Sequence, residues 1–161
     1  RGRLLPAGDG RMIRVQREPF DAGAETAALT AGRDDVGAVV SFQGVVRRGD
    51  GADAIDAMTL EHYPGMTERE LERIEAEAHC RWPLQATLVI HRYGRMEPGE
   101  PIVLVVCGSR HRRAAFDACA FLMDWLKTQA PFWKLEETAA GERWVAAKAS
   151  DDDAAARWGE A

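Results

Sequence analysis

Two clusters of cations in this chain have the residue types and spacing for anion chemistry. The first is Ser109-Arg110-His111-Arg112-Arg113, at what reads as the start of a helix. Free backbone N–H groups at a helix start favour an anion, whereas cations normally prefer the opposite end. A bound phosphate or carboxylate would offset that conflict. The plainer alternative is a solvated basic turn. The second cluster is Lys127-Thr128-Gln129-Ala130-Pro131-Phe132-Trp133-Lys134. A lysine beside apolar surface can serve as acid, base or nucleophile, or neutralise an anion without chemistry. The alternative here is that Lys127 complements a helix C-terminus while Phe132 and Trp133 anchor the core. Arg47 and Arg48 end a strand at a glycine-rich turn, where an arginine can clamp an anion bidentately or simply be a solvated edge residue.

Charge distribution supports a division of labour. Cys107 to Lys134 holds five Lys or Arg against two Asp, a local +3, and Glu136 to Ala161 holds three against seven, a local −4. His111 and Lys127 lie 16 residues apart on one expected helix. At 1.5 Å per residue they are about 24 Å apart, too far to share one small ligand within a single chain. Either they serve different purposes, or a two-fold dimer brings opposite helix ends into one pocket.

Other chemistries find little support. The three cysteines, Cys80, Cys107 and Cys119, form no C-x-x-C pair and have no accompanying His-x-x-x-His run, so no zinc site is expected. Cys107 and Cys119 lie in apolar runs and read as inert buried thiols. His62, His79 and His91 are scattered and read as structural or surface residues. No G-x-G-x-x-G or Walker pattern exists, so no nucleotide-binding loop is expected. Lys plus Arg total 21 against 26 Asp plus Glu, a net charge of −5, which argues against a general nucleic-acid coat. No apolar run approaches the ~18 residues of a membrane span. The stretch Arg1 to Asp9 has no apolar signal core. Unpaired thiols suit a reducing compartment, so a cytoplasmic location is expected.

The elements that must position these groups follow from pattern. A length of 161 residues and a 46% hydrophobic content suit one domain, expected over 11–161 behind a leader at 1–10. Arg11–Arg17 alternates as a strand, and a short helix is expected over Ala24–Ala31. Val36–Arg47, with a bend near Gly44, and Ile55–His62 read as two strands of one antiparallel hairpin. Thr67-x-x-Glu70 reads as a capping box opening a helix over Glu68–Cys80, with Leu71, Ile74 and Ala78 inward and Glu72, Glu75 and Glu77 on a solvated face. Thr87–Tyr93 and Ile102–Cys107 are strands joined by the turn Met96–Gly99. Ser109 is expected to cap a long helix over Arg110–Thr128, whose apolar stripe is Ala115, Phe116, Cys119, Met123 and Leu126 and which Pro131 ends. Arg143–Lys148 reads as a last strand, and Ser150 as the N-cap of a final helix with Asp151, Asp152 and Asp153 in its first turn. Strand pairs separated by helices indicate an α+β fold rather than a parallel βαβ one.

Several strings resemble one known family. TLEHYPGM (Thr59–Met66), Arg81-Trp82-Pro83, Ile90-His91-Arg92, His111-Arg112 and MDWLKTQAPFWK (Met123–Lys134) are similar to the large, catalytic subunit of molybdopterin synthase. Glu142-Arg143-Trp144-Val145 and Ala156-Arg157-Trp158 also fit, so the resemblance runs from about Met12 to Trp158. It implies an α/β hammerhead fold with an additional antiparallel sheet. It implies sulfur transfer from the C-terminal thiocarboxylate of a small ubiquitin-like subunit to cyclic pyranopterin monophosphate, forming the molybdopterin dithiolene. The implied assembly is a heterotetramer built on a homodimer whose active sites are shared across the dimer, with no metal or nucleotide cofactor, no nucleic acid and no membrane.

The resemblance also assigns residues. It makes Lys127 and Lys134 catalytic, and His111, Arg112 and Arg47 substrate-binding, with Leu135 and Glu136 as pocket wall. Val45 and Val46 offer packing or backbone contact, Val45 standing where some members carry lysine. Lys148 replaces an arginine common in the family, keeping the charge without the bidentate fork. A non-catalytic module that holds an anionic pterin or nucleotide-like ligand is the main alternative. An RNA-binding domain using the basic helix start and Trp133 is a weaker one.

Overall fold

The computed structural model describes residues 8–146 and 148–159. Its centre is a four-stranded sheet in the order β1-β4-β6-β2, formed by β1 (Arg11–Gln16), β2 (Ala38–Val45), β4 (Leu84–Arg92) and β6 (Pro101–Ser109). β4 and β6 are the inner strands and are buried on both faces, so they read as nearly continuous apolar runs. Alternation then divides their side chains. Val89, Val103, Val105 and Cys107 face two helices, α2 (Met66–Arg81) and α3 (Arg112–Gln129), in a core with Phe121, Leu122 and Trp125. Ala86, Leu88, Ile90, Leu104 and Val106 form a second core with Leu29 of α1 (Ala22–Thr30).

A second antiparallel sheet has the order β5-β3-β7-β8, from β3 (Ile55–His62), β5 (Gly94–Met96), β7 (Phe132–Thr138) and β8 (Gly141–Val145). Helix α4 (Ala149–Ala156) follows β8 and packs on α3; its N-cap is Lys148, so Ser150 lies inside the first turn instead of capping it. The α+β expectation therefore holds. Among the described residues, no helix is long and apolar enough to cross a membrane. Of the expected leader, residues 1–7 lie outside the described residues, and Gly10 is buried against Gln85. Gly10 has φ +77°, and a methyl group there would collide with the Gln85 carbonyl. Gly10→Ala is therefore expected to lower unfolding stability by about 2 kcal/mol, read by urea titration.

The structure corrects five further local expectations. β2 and β3 do not form a hairpin: β2 pairs with β6 in the first sheet, and β3 with β5 and β7 in the second. Alternation reports which faces are buried, not which strand is the partner. The switch occurs where β2 breaks register at Gly44/Val45 and Val46 exchanges backbone hydrogen bonds with Glu100 and Gly99 instead. At α2 the N-cap is Gly65, whose N–H donates to Glu68 Oε2 at 2.6 Å, and Thr67 lies inside the helix. Thr67 is buried, accepting from the Tyr63 N–H and donating to the Pro131 carbonyl.

Glu75 is not solvated but 3% exposed. It lies four residues from Leu71 and three from Ala78, which places it on the inner face by helical geometry. Ser109 ends β6 rather than capping α3, and its hydroxyl donates to the Pro83 carbonyl. Phe116 is 59% exposed, because the true stripe runs through Ala115, Ala118, Phe121, Leu122 and Trp125. The strand β7 had no counterpart among the expected elements, although it carries the second lysine of the Lys127–Lys134 cluster.

Candidate active site

A cleft of about 600 Å³ opens where the two sheets meet the end of α3. The last two turns of α3 supply Met123, Leu126 and Lys127, and β7 supplies Phe132 and Lys134. The chain after β8 adds Lys148, Ser150 and Asp151. Residues Phe42 to Val45 of β2 line another wall, and His91 of β4 lies among them. Three ammonium groups and one carboxylate thus share a cleft whose other walls are largely apolar.

Local rules explain this convergence. Pro131 cannot continue α3, so the chain turns and enters β7 at once. Period-two alternation then places Phe132, Lys134 and Glu136 on one face and Trp133 and Leu135 on the other. Lys134 Nζ lies 3.7 Å from Glu136 Oε1, and Glu136 also accepts two hydrogen bonds from Arg143 of β8, at 2.9 and 3.1 Å. Arg143 in turn reaches Asp53 at 3.2 Å. Glu136 therefore pairs with Lys134 along the same strand face without itself lining the cleft.

The other expected site residues divide clearly. Lys127, Lys134, Lys148 and Val45 line the cleft. Val46 is buried in the small core with Ile55, Met58 and Met96. Leu135 and Glu136 are outside the lining, and Arg47 is exposed just past the end of β2. His111 and Arg112 are exposed at the opposite end of α3, His111 being its N-cap residue without a side-chain capping bond. From His111 to Lys127 the helix rises about 24 Å. One chain therefore separates the two basic clusters that sequence had placed apart.

Sequence reasoning passed over His91, Phe42, Ser150 and Asp151 as cleft residues. The signal for His91 was a histidine inside a run otherwise buried on both faces. Its Nδ1–H donates to the Arg92 carbonyl at 2.9 Å, and its ring stacks on Phe132 with centroids 3.8 Å apart. Burial is the main force lowering its pKa to about 4, and the Lys127 charge adds to it, so the ring is neutral near pH 7. Among the described residues no cluster of His, Cys, Asp and Glu could hold a metal ion.

Comparison with known proteins places these features in context. The family model described as MoaE protein matches residues 15–129. The molybdopterin synthase catalytic subunit of Pseudomonas aeruginosa is 57% identical over 148 residues, covering 92% of this chain and 99% of the relative. That of Mesorhizobium japonicum is 59% identical, covering 91% and 92%. Among solved structures, the molybdopterin biosynthesis MoaE protein from Burkholderia ambifaria MC40-6 is similar with a TM-score of 0.80 and 50% identity, covering 94% of this chain and 99% of that one.

Proposed function

The chain belongs to the MoaE family of molybdopterin synthase catalytic subunits, and on that premise we propose that it moves sulfur onto cyclic pyranopterin monophosphate to form the dithiolene of molybdopterin. The donor is the C-terminal thiocarboxylate of a small ubiquitin-like partner subunit. The observation that carries this reading is the convergence of Lys127, Lys134 and Lys148 in one cleft. Both reactants are anionic, one through a thiocarboxylate and the other through a cyclic phosphate. Fixed ammonium groups can bring two anions together and neutralise charge as it develops on the reacting atoms. They can also deliver or accept protons at the carbon that receives sulfur.

The phosphate end needs its own anchor, and His111 and Arg112 supply it from the second protomer of a dimer. An exposed guanidinium next to free helix N–H groups suits a phosphate. Arg47, exposed just past the end of β2, serves as a further clamp. Lys148 contributes charge without a fork, and Glu136 keeps Lys134 extended toward the cleft. Leu135, on the opposite face of β7, supports the strand that carries Lys134. The small subunit's tail enters as an extended segment past Phe132 and Trp133. Both sheets serve one site, so residues 11–161 act as one domain. A thiocarboxylate donor and three free thiols support a reducing, cytoplasmic setting for the reaction.

The deciding experiment combines the protein, the cyclic precursor and thiocarboxylated small subunit, and measures dithiolene product. Product that requires all three components is the expected outcome. A dimer that binds both partners yet forms no product would make this a binding module, with the lysines acting only as counter-charges.

A further inference from the structure

We propose that the free edge of β2 and an outward stripe of α3 form a two-fold interface with a second copy of this chain, in which Phe116 packs on the partner's Met123 and Ala120 meets its own copy. The inference rests on the reading above, which needs a second protomer, and assigns the surface through which that protomer docks. β2 is an end strand of its sheet, paired with β6 alone among the described residues. Its outer row of backbone groups is a template for another strand. Natural edge strands are commonly blunted by charge or proline, yet Ala38–Val45 carries neither. Val39, Phe42 and Val45 are instead 41%, 42% and 46% exposed. Apolar side chains gathered on an unpaired edge mark a surface that a partner covers.

Helix α3 carries a matching feature. Arg112, Phe116, Ala120, Met123 and Lys127 recur at spacings of four, four, three and four, so they share one face. That face explains the exposed Phe116 ring, which the core of the single chain leaves in water. A two-fold axis through the middle of β2, normal to the sheet, pairs β2 antiparallel with its copy and sets Ala38 opposite the partner's Val45. The same axis keeps both α3 helices on one side of the joined sheet, running antiparallel. Because α3 packs on both β6 and β2, the two helices lie about two strand spacings apart, ~10 Å, which is helix-packing distance. The stripe then meets itself in reverse. Phe116 gains a sulfur–aromatic contact with the partner's Met123, and Ala120 at the crossing point lets the helices approach. The lengths agree too: the eight residues of β2 span ~26 Å, and α3 rises ~24 Å from His111 to Lys127. His111 and Arg112 therefore arrive beside the partner's Lys127. Cations facing each other across an interface repel unless an anion lies between them. The anionic reactant supplies that charge, so this arrangement completes the site as it forms the dimer.

The test reads association directly. Sedimentation velocity across a dilution series should show a dimer for the wild type. Phe116→Glu places a carboxylate in the contact and spares the fold, because the ring is exposed in the single chain. Its dimer dissociation constant should rise at least ~30-fold, with the circular dichroism of the chain unchanged. Its activity should fall with the dimer and return as protein concentration is raised. Ala120→Cys, made together with Cys80→Ser to remove the exposed thiol, should cross-link to its copy with a short bismaleimide. Glu72→Cys, on the exposed face of α2 in the same background, should not. Amide hydrogen exchange over residues 39–43 should slow as the dimer forms without any other component. A monomeric wild type, a Phe116→Glu protein that remains a tight dimer, or a dimeric Ala120→Cys protein that gives no cross-link would overturn the proposal. So would protection of β2 that arises only when small subunit is added, which would make this edge a docking strand for that subunit. A dimer that cross-links through Ala120→Cys, while the wild type makes no product, defeats the synthase reading and leaves the interface standing.

Discussion

Lys127→Ala and His111→Ala proteins, each reduced at least about 100-fold when assayed alone, are expected to recover about a quarter of the wild-type rate when unfolded together, refolded and mixed with small subunit and precursor. The expectation follows from the length of α3, which spans Arg112–Gln129 and holds the two groups at its two ends. If each site takes its lysine from one protomer and its histidine from the other, a mixed dimer has one site with both defects and one with none. Random pairing makes about half of the dimers mixed, and half of their sites intact. A site built within a single chain gives no recovery at any mixing ratio. Recovery is thus a direct reading of shared architecture. Each variant's own dimerisation, checked by sedimentation, excludes loss of assembly as the cause of inactivity.

Glu75→Gln is expected to stabilise the protein by about 3 kcal/mol at pH 8 and to leave it nearly unchanged at pH 4.5. Glu75 Oε1 accepts from the Met12 N–H at 3.0 Å and from the Thr87 hydroxyl at 2.5 Å, and that hydroxyl accepts in turn from His79 Nε2 at 2.9 Å. Burial outweighs these bonds and the nearby Arg11 charge, raising the Glu75 pKa from 4.5 to about 7. Between those values the native protein binds a proton that the unfolded chain has lost. Stability from this group is complete below pH 4.5 and declines as pH rises through 7. Glutamine keeps an acceptor for both donors and has no charge to bury.

His91 acts in the opposite sense. Its pKa falls from 6.5 to about 4. The unfolded chain therefore binds the extra proton between those values, and stability is lost as pH falls through that window. The two slopes oppose each other between about pH 4.5 and 6.5, so these groups leave the wild type nearly flat there. Glu75→Gln should expose the His91 slope as a rise in Tm across the same range. A difference between Glu75→Gln and wild type that does not vary with pH would refute the account.

The cations were legible because their chemistry is local. Lys127 and Lys134 bracket a helix break that Pro131 announces, and the separation of His111 from Lys127 follows from helix rise alone. Glu75 was also within reach, since its helical position is inward, but its charge suggested solvent. The pairing of β2 and β3 was not legible. Both strands alternate properly, and the choice of partner lies in β6 and β7, which are far away in sequence. β7 was hidden because one face of Phe132-Trp133-Lys134-Leu135-Glu136 mixes an aromatic ring with charged residues, so the run shows no clean alternation, although the strand lies inside its sheet between β3 and β8. His91 was hidden by its setting, since a histidine in a buried strand reads as structure until the cleft beside it is seen.

The described chain ends on Trp158 and Gly159, and the anchoring of Trp158 reaches back to the cleft. Helix α4 has eight residues and none is buried, so it has little stability of its own. Trp158 instead donates its indole N–H to Asp124 at 2.7 Å, accepts from Arg81 through its carbonyl at 2.6 Å, and lies edge-on to Trp82 and Phe121. The segment after β8 thus behaves as a tethered ligand for the α2–α3 surface. Its occupancy is governed by effective concentration, which a short tether keeps high. That local concentration, rather than helix propensity, keeps Lys148, Ser150 and Asp151 at the cleft wall.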